Sequence, residues 1–256
     1  MKLKKTLSIL MVCAILLTIS ACFAGCSTDK KSEPEKADAS QTEDVAVTTL
    51  LGESPEWVTK LDAAKDADQL FIVAAYEKTS AWVSMHEKDE NGKWQMIMTT
   101  PGFIGKNGLG KTKEGDGMTP VGTFGFNAAF GIADDPGCAI PYTKVDDDTY
   151  WSGDVRDGKQ YNKMVSLKDY PDLDKENSEH IMDYTRHYQY CLNISYNDAC
   201  KPGAGSAIFL HCLAPAKPFT GGCVAIPMNQ MKLVMQKVKP NCKVVIDSME
   251  HFGAEF

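Results

Sequence analysis

Between Gly102 and Gly125 the chain places eight glycines, at positions 102, 105, 108, 110, 115, 117, 122 and 125. Glycine inside a strand costs backbone entropy and leaves no side chain to pack, so no ordinary strand tolerates that density. The segment is therefore expected to be loop, with a strand resuming at 121–126. Upstream, 69–76 is apolar, 81–86 partly alternates and 94–100 follows an Asn91-Gly92 turn, which predicts hairpin-connected strands. Downstream, 128–188 is polar and rich in Asp, Asn and Tyr, and reads as a long irregular excursion that covers or lines a site. Further strands are predicted at 190–196, 206–212, 223–226 and 243–247. Ser54 as cap, Pro55 and Glu56 in the first turn, and Trp57, Leu61 and Ala64 at helical spacing predict a helix to about residue 68. A second helix opens at Pro227, with Met231, Val234, Met235 and Val238 on one face. The fold class expected is mostly β with short flanking helices.

The amino-terminal end sets the compartment. Lys2, Lys4 and Lys5 precede an uncharged apolar stretch from Leu7 to Ala24, and charged residues begin at Asp29, the pattern of an export signal. Phe23-Ala24-Gly25 before Cys26 resembles a bacterial lipoprotein cleavage box. Residues 1–25 are thus expected to be a signal peptide, with Cys26 as the lipidated residue, Cys22 being the alternative. Residues 26–52, poor in large apolar side chains, are expected to be a disordered tether, and 53–256 a single domain. The expected location is extracytoplasmic, on the outer face of the bacterial membrane. A net charge of −7 without a basic cluster argues against nucleic acid as partner. Of nine cysteines, Cys138, Cys191, Cys200, Cys212, Cys223 and Cys242 fall in the domain. No CxxC pair occurs and His is scarce, so neither a structural zinc site nor another metal or cofactor is expected, and buried thiols are the default. A monomer is expected.

Chemistry concentrates in Phe209-Leu210-His211-Cys212 and Thr220-Gly221-Gly222-Cys223-Val224. The histidine ends an apolar strand, and the cysteine follows two glycines, where backbone approaches a ligand closely. His211 can take the thiol proton, and the resulting ion pair would lower the cysteine pKa from its free value of about 8.5. On pattern alone a buried thiol beside a core histidine is an equal reading.

These residues resemble the active-site motif of the L,D-transpeptidase catalytic domain, a histidine at a strand end followed by Ser/Thr-x-Gly-Cys. A second block, from Lys113 through Thr119-Pro120 to Phe124, is similar to an upstream sheet segment of such domains. Trp151-Ser152-Gly153-Asp154 with Tyr161-Asn162, and Ser195-Tyr196-Asn197, look like blocks of a divergent branch. The likeness covers about residues 102–226. It implies a β-sandwich catalytic domain over 53–256, with Cys223 as nucleophile, His211 as base and backbone N–H groups at Gly222 and Cys223 for the oxyanion. It also implies peptidoglycan stem peptides as substrate, 3-3 cross-linking and release of D-Ala. Water in place of the acceptor amine would give an L,D-carboxypeptidase, and an idle fold would give a peptidoglycan-binding lipoprotein. Thr220, Gly221, Glu114, Asp116, Tyr161, Asn162 and Asn197 are the candidate substrate contacts. Simple solvation of the two acidic residues, and local hydrogen bonding of the Tyr and Asn residues, are the competing readings. Three positions depart from many members, which carry His at Gly221, Gly at Cys212 and Arg at Ala225. His86, His180, His187 and His251 show no partner pattern and are expected to be surface or structural residues.

Overall fold

Leu70-Phe71-Ile72-Val73-Ala74 is apolar at every position because the strand that contains it is covered on both faces. The computed structural model describes residues 51–214 and 217–254. There, strand β2 (Gln69–Ala75) is buried throughout. Phe71, Val73 and Ala75 point into the main core, whereas Leu70, Ile72 and Ala74 pack with Val58, Ala64 and Ala67 of the preceding segment. The period-two side-chain alternation of a strand thus feeds two clusters from one run.

The strands in chain order are β1 (Gly52–Glu53), β2, β3 (Ser80–Lys88), β4 (Trp94–Phe103), β5 (Gly122–Gly131), β6 (Tyr142–Lys144), β7 (Thr149–Ser152), β8 (Lys163–Ser166), β9 (Glu179–His180), β10 (Cys191–Ile194), β11 (Phe209–Cys212), β12 (Val224–Ile226) and β13 (Lys243–Ser248). The ten-stranded sheet runs β1-β4-β12-β11-β10-β5-β13-β2-β3, with β6 beside β5, and β3 pairs back onto β4. The mostly β, sandwich-like fold expected from the sequence is present, as a sheet that closes on itself around one core. Short helices flank it: α1 (Glu56–Thr59), α2 (Asp62–Lys65), α3 (Met228–Lys237) and α4 (Met249–Phe252). The apolar face of α3, Met231, Val234 and Met235, joins the main core.

Several local expectations change. The continuous helix to residue 68 is two single turns, because Leu61 between them is extended at ψ 140°. Ser54 does not cap it. Its hydroxyl bonds Nδ1 of His86 at 2.8 Å, and Ser84 bonds the other ring nitrogen, which explains a buried structural histidine. The glycine-dense loop begins two residues later than expected, since β4 runs to Phe103, and it ends where expected to within one residue, since β5 starts at Gly122. The excursion is not irregular. It contains a three-stranded sheet, β8-β7-β9, anchored by Trp151, which stacks on Phe130 of β5 and meets Phe209 of β11 edge-on. The expected signal peptide, the lipidation site Cys26 and nearly all of the expected tether lie outside the described residues. At its last two positions, the Leu51 N–H donates to Met96 O, and Gly52 pairs with Met96 in the sheet.

Candidate active site

The parallel pairing of β11 with β12 sets His211 opposite Ala225 and Leu210 opposite Val224. Side chains alternate, so Leu210, Cys212, Val224 and Ile226 point into the main core. Phe209, His211, Cys223 and Ala225 must then share the opposite face. On that face a cleft of about 520 Å³ opens, lined by His211, Cys223 and Ala225 together with Thr220 and Gly221. One wall is the glycine-rich segment, which contributes Lys106, Lys111 and Glu114. The other is the folded excursion, which contributes Glu179, Tyr184, His187 and Tyr188.

The loop that carries Cys223 is pinned from both sides. The Thr119 hydroxyl, wholly buried, donates to Gly222 O at 2.7 Å and accepts the Gly105 N–H at 2.9 Å. Thr220 Oγ1 donates to Cys223 O at 2.6 Å and accepts the Gly222 N–H at 3.1 Å. The Gly222 N–H expected to serve an oxyanion is therefore already engaged, and Gly222 does not line the cleft. Its glycine identity has a steric cause: at φ 147°, an added Cβ would meet Met118 O at 2.8 Å.

The Cys223 thiol donates to Ala207 O at 3.2 Å and accepts the Phe209 N–H at 3.4 Å. His211 Nδ1 lies 3.0 Å from Cys212 O. A carbonyl can only accept, so Nδ1 carries the hydrogen and Nε2 of the neutral ring keeps its lone pair. Rings of His187 and Tyr188 meet His211 edge-on at 5.7 and 5.5 Å. The Tyr188 hydroxyl donates to Glu179 at 2.7 Å.

Burial governs the protonation states. It pushes the Cys223 thiol up to about 12, aided by the Glu179 carboxylate and opposed by the Phe209 N–H and the Lys111 charge. Burial holds the His211 imidazole down at about 4, with the Cys212 carbonyl opposing and His187 adding. Desolvation favours a neutral Cys223 thiol and a neutral His211 imidazole, against the Cys/His ion pair expected from the sequence. Glu179 is raised to about 7 by burial, the Tyr188 hydroxyl opposing and the Glu114 carboxylate adding.

The remaining sequence candidates divide. Glu114 lines the cleft while accepting from the Tyr161 and Ser206 hydroxyls at 2.5 and 2.8 Å. Asp116 does not line it. Burial works to raise the Asp116 carboxyl, but N–H groups of Thr112, Lys113 and Met118 and the Lys111 ammonium outweigh burial and hold it well below the usual range. Tyr161, Asn162 and Asn197 also sit behind the cleft wall. Asn162 Oδ1 accepts from Trp151 Nε1 at 2.9 Å and from the Ala207 N–H at 3.1 Å, and its amide donates to Tyr196 O and Asn197 O. Asn197 ties Lys201 O to Gly205 O. These residues fix the backbone that holds the thiol. His187, expected from the sequence to be a surface or structural residue, instead lines the cleft against His211; Lys111, Glu179, Tyr184 and Tyr188 carry no signal of their own in the sequence, although the excursion that holds the last three is expected to line a site.

All six domain cysteines are free thiols, and Cys191, Cys212, Cys223 and Cys242 are buried. No group of three or more His, Cys, Asp or Glu side chains disposed to hold a metal occurs among the described residues.

The family model described as L,D-transpeptidase catalytic domain (YkuD) matches residues 79–246, more than half of the chain. Comparison with curated proteins finds no match. Among solved structures, the helical cell shape determining protein Pgp2 from Campylobacter jejuni is similar at 17% identity and TM-score 0.38, covering 71% of this chain and 48% of that one. A fused Zn-dependent amidase/peptidase/peptidoglycan-binding domain-containing protein from Clostridium acetobutylicum is similar at 12% identity and TM-score 0.34, with 71% and 52% covered. The Ldtfm–avibactam carbamoyl enzyme is similar at 15% identity and TM-score 0.32, with 71% and 49% covered. The chain spans about half the length of each of these structures.

Proposed function

Because the chain belongs to the L,D-transpeptidase catalytic-domain family, an enzyme family of peptidoglycan metabolism, we propose that it is a cysteine acyltransferase that cross-links peptidoglycan stem peptides. The observation that carries this reading is the register of β11 and β12, which turns Cys223 and His211 onto one face and into one cleft. Cys223 Sγ attacks the carbonyl between the third and fourth stem residues as His211 Nε2 accepts the thiol proton. The tetrahedral intermediate collapses, His211 returns the proton to the departing D-Ala amine, and a thioester remains on Cys223. An amine of a second stem, deprotonated by His211, attacks the thioester; the C–S bond breaks, His211 returns the proton to the departing Cys223 sulfur, and the 3-3 cross-link is released. Water as acceptor would instead make the reaction an L,D-carboxypeptidase cleavage.

Transfer from a neutral thiol to a neutral imidazole suits two buried groups, since no separated charge has to be held before the attack. A substrate carbonyl that draws charge from sulfur drives the proton to His211 during attack. The sequence pattern at the amino terminus supports an exported chain, with 1–25 as signal peptide, Cys26 as lipid anchor on the outer face of the membrane, 26–52 as tether and 53–256 as the catalytic domain.

Incubation of the full chain with a tetrapeptide stem tests the reading. D-Ala release with a dimeric product is expected, and both are lost in Cys223→Ala. Release without dimer would assign the carboxypeptidase reaction, and an intact stem after exposure to folded protein would refute acyl transfer.

A further inference from the structure

Lys111 is the least solvated cation of the cleft. It lines the cavity, yet only 2% of its side chain is exposed. Two acceptors fix its ammonium: Asp116 Oδ1 at 3.0 Å and Lys113 O at 3.2 Å. An ammonium has three donors, and no third acceptor occupies this one among the described residues. Its aliphatic stem is held as firmly as its head. At Gly205, which has φ 116°, an added Cβ would sit 2.5 Å from Lys111 Cε and 2.9 Å from the Tyr196 ring.

The ion pair with Asp116 does not exhaust that charge. The Asp116 carboxylate also accepts the N–H groups of Thr112, Lys113 and Met118, at 2.8, 3.1 and 3.0 Å, so its negative charge is shared among four donors. A cation buried beside a saturated carboxylate, with a donor to spare, stabilises an incoming anion more than an exposed lysine does, because the surrounding dielectric is low. The Lys111 charge also acts on the Cys223 thiol, which places it within electrostatic reach of the reacting sulfur. The acidic groups of the cleft are already engaged: Glu114 by two hydroxyls and Glu179 by Tyr188.

We propose that the Lys111 ammonium binds the free carboxylate that terminates the donor stem, one residue beyond the bond that Cys223 attacks. The assignment rests on the stem-peptide reading above. It makes this chain selective for stems ending at the fourth residue with a free acid, over stems carrying a neutral end there.

Turnover of a tetrapeptide stem and of its C-terminal carboxamide is to be measured on the full chain, for wild type, Lys111→Met and Lys106→Met. The wild type is expected to favour the acid in KM by about tenfold to a hundredfold, the size of a hydrogen bond to a charged group. Lys111→Met should bring the two stems to equal KM, while Lys106→Met, at an exposed lysine of the same cleft, keeps the preference. A purely structural Lys111 would instead depress both stems by the same factor and leave their ratio intact, which would overturn the assignment. If Lys111→Met does not fold because Asp116 is stranded, Lys111→Met with Asp116→Asn removes the stranded charge and carries the same test. Equilibrium binding of both stems to Cys223→Ser separates the two claims. An acid preference in binding that Lys111→Met abolishes, with no turnover by wild type, would refute acyl transfer and leave the carboxylate site standing. Equal binding of acid and amide would overturn the site.

Discussion

The thiol of Cys223 donates to the carbonyl of Ala207, a residue held in the left-handed region at φ 54°. That backbone conformation is unfavourable for an L-residue by about 1–2 kcal/mol, so something must hold it. Asn162 does so, since its Oδ1 accepts the Ala207 N–H and the Trp151 indole N–H together. The motif blocks around Trp151 and Tyr161-Asn162 are therefore the rear support of the Cys223 thiol, although none of their side chains lines the cleft.

Asn162→Ala should leave two buried donors without acceptors, at a cost of about 1–3 kcal/mol for each. The urea midpoint is expected to fall clearly, and alkylation of Cys223 in the native state to become faster as segment 205–207 loosens. An unchanged midpoint would mean that Asn162 does not hold Ala207.

Adjacent glycines of the Cys223 loop should respond oppositely to the same change. A Cβ on Gly222 would meet Met118 O at 2.8 Å in a backbone conformation suited to glycine, whereas a Cβ on Gly221 meets nothing within 4 Å. Gly222→Ala is expected to abolish acylation and lower thermal stability. Gly221→Ala should fold and keep most activity, and the larger Gly221→His should also fold, because this position faces open cleft. Equal damage from both alanine variants would contradict this account of the loop.

Thiol reactivity should follow burial. With Cys223 raised to about 12, the thiolate fraction grows about tenfold per pH unit across the neutral and mildly alkaline range. Iodoacetamide alkylation should accordingly keep climbing between pH 7 and 10 without a plateau. Glu179→Gln removes a carboxylate that raises the thiol, so alkylation at pH 8 should be faster in that variant. A plateau below pH 8 in wild type would indicate a preformed thiolate.

Stability should also vary with Glu179. Its pKa is raised in the folded chain from the ordinary 4.5 to about 7, chiefly by burial. A raised carboxyl contributes stability fully present below about 4.5 and lost as pH rises through about 7. The drop in urea midpoint from pH 5 to pH 8 should be larger in wild type than in Glu179→Gln. Parallel midpoints in the two proteins would contradict the shift.

Legibility in the sequence tracked locality. The strands at 69–76 and 243–247 and the helix after Pro227 were readable because each carries its own apolar periodicity and punctuation. A strand end and glycine spacing mark His211 and Cys223 locally, but that pattern fits a buried thiol and a core histidine equally well; what the fold adds is the β11–β12 register that brings both to one cleft. Glu179, His187 and Tyr188 were not readable, since they lie in a polar stretch without periodicity and reach the cleft only because Trp151 packs on Phe130 and Phe209. The break at Leu61 depends on where the buried faces of two short turns meet β2, which spacing alone does not encode. The protonation of the two groups is not legible in the sequence for a related reason: a Cys and a His in one motif suggest an ion pair, but burial of each side chain, which depends on the whole fold, favours the neutral forms.

Trapping the acyl-enzyme tests the central claim most directly. The full chain is mixed with a tetrapeptide stem, quenched in acid at early times and weighed intact, for wild type, His211→Ala and Cys223→Ala. The account predicts an adduct equal to the stem acyl group without D-Ala, located on the peptide containing Cys223. It should form far more slowly in His211→Ala and be absent in Cys223→Ala. An adduct on another residue, or D-Ala release undiminished in Cys223→Ala, would contradict it.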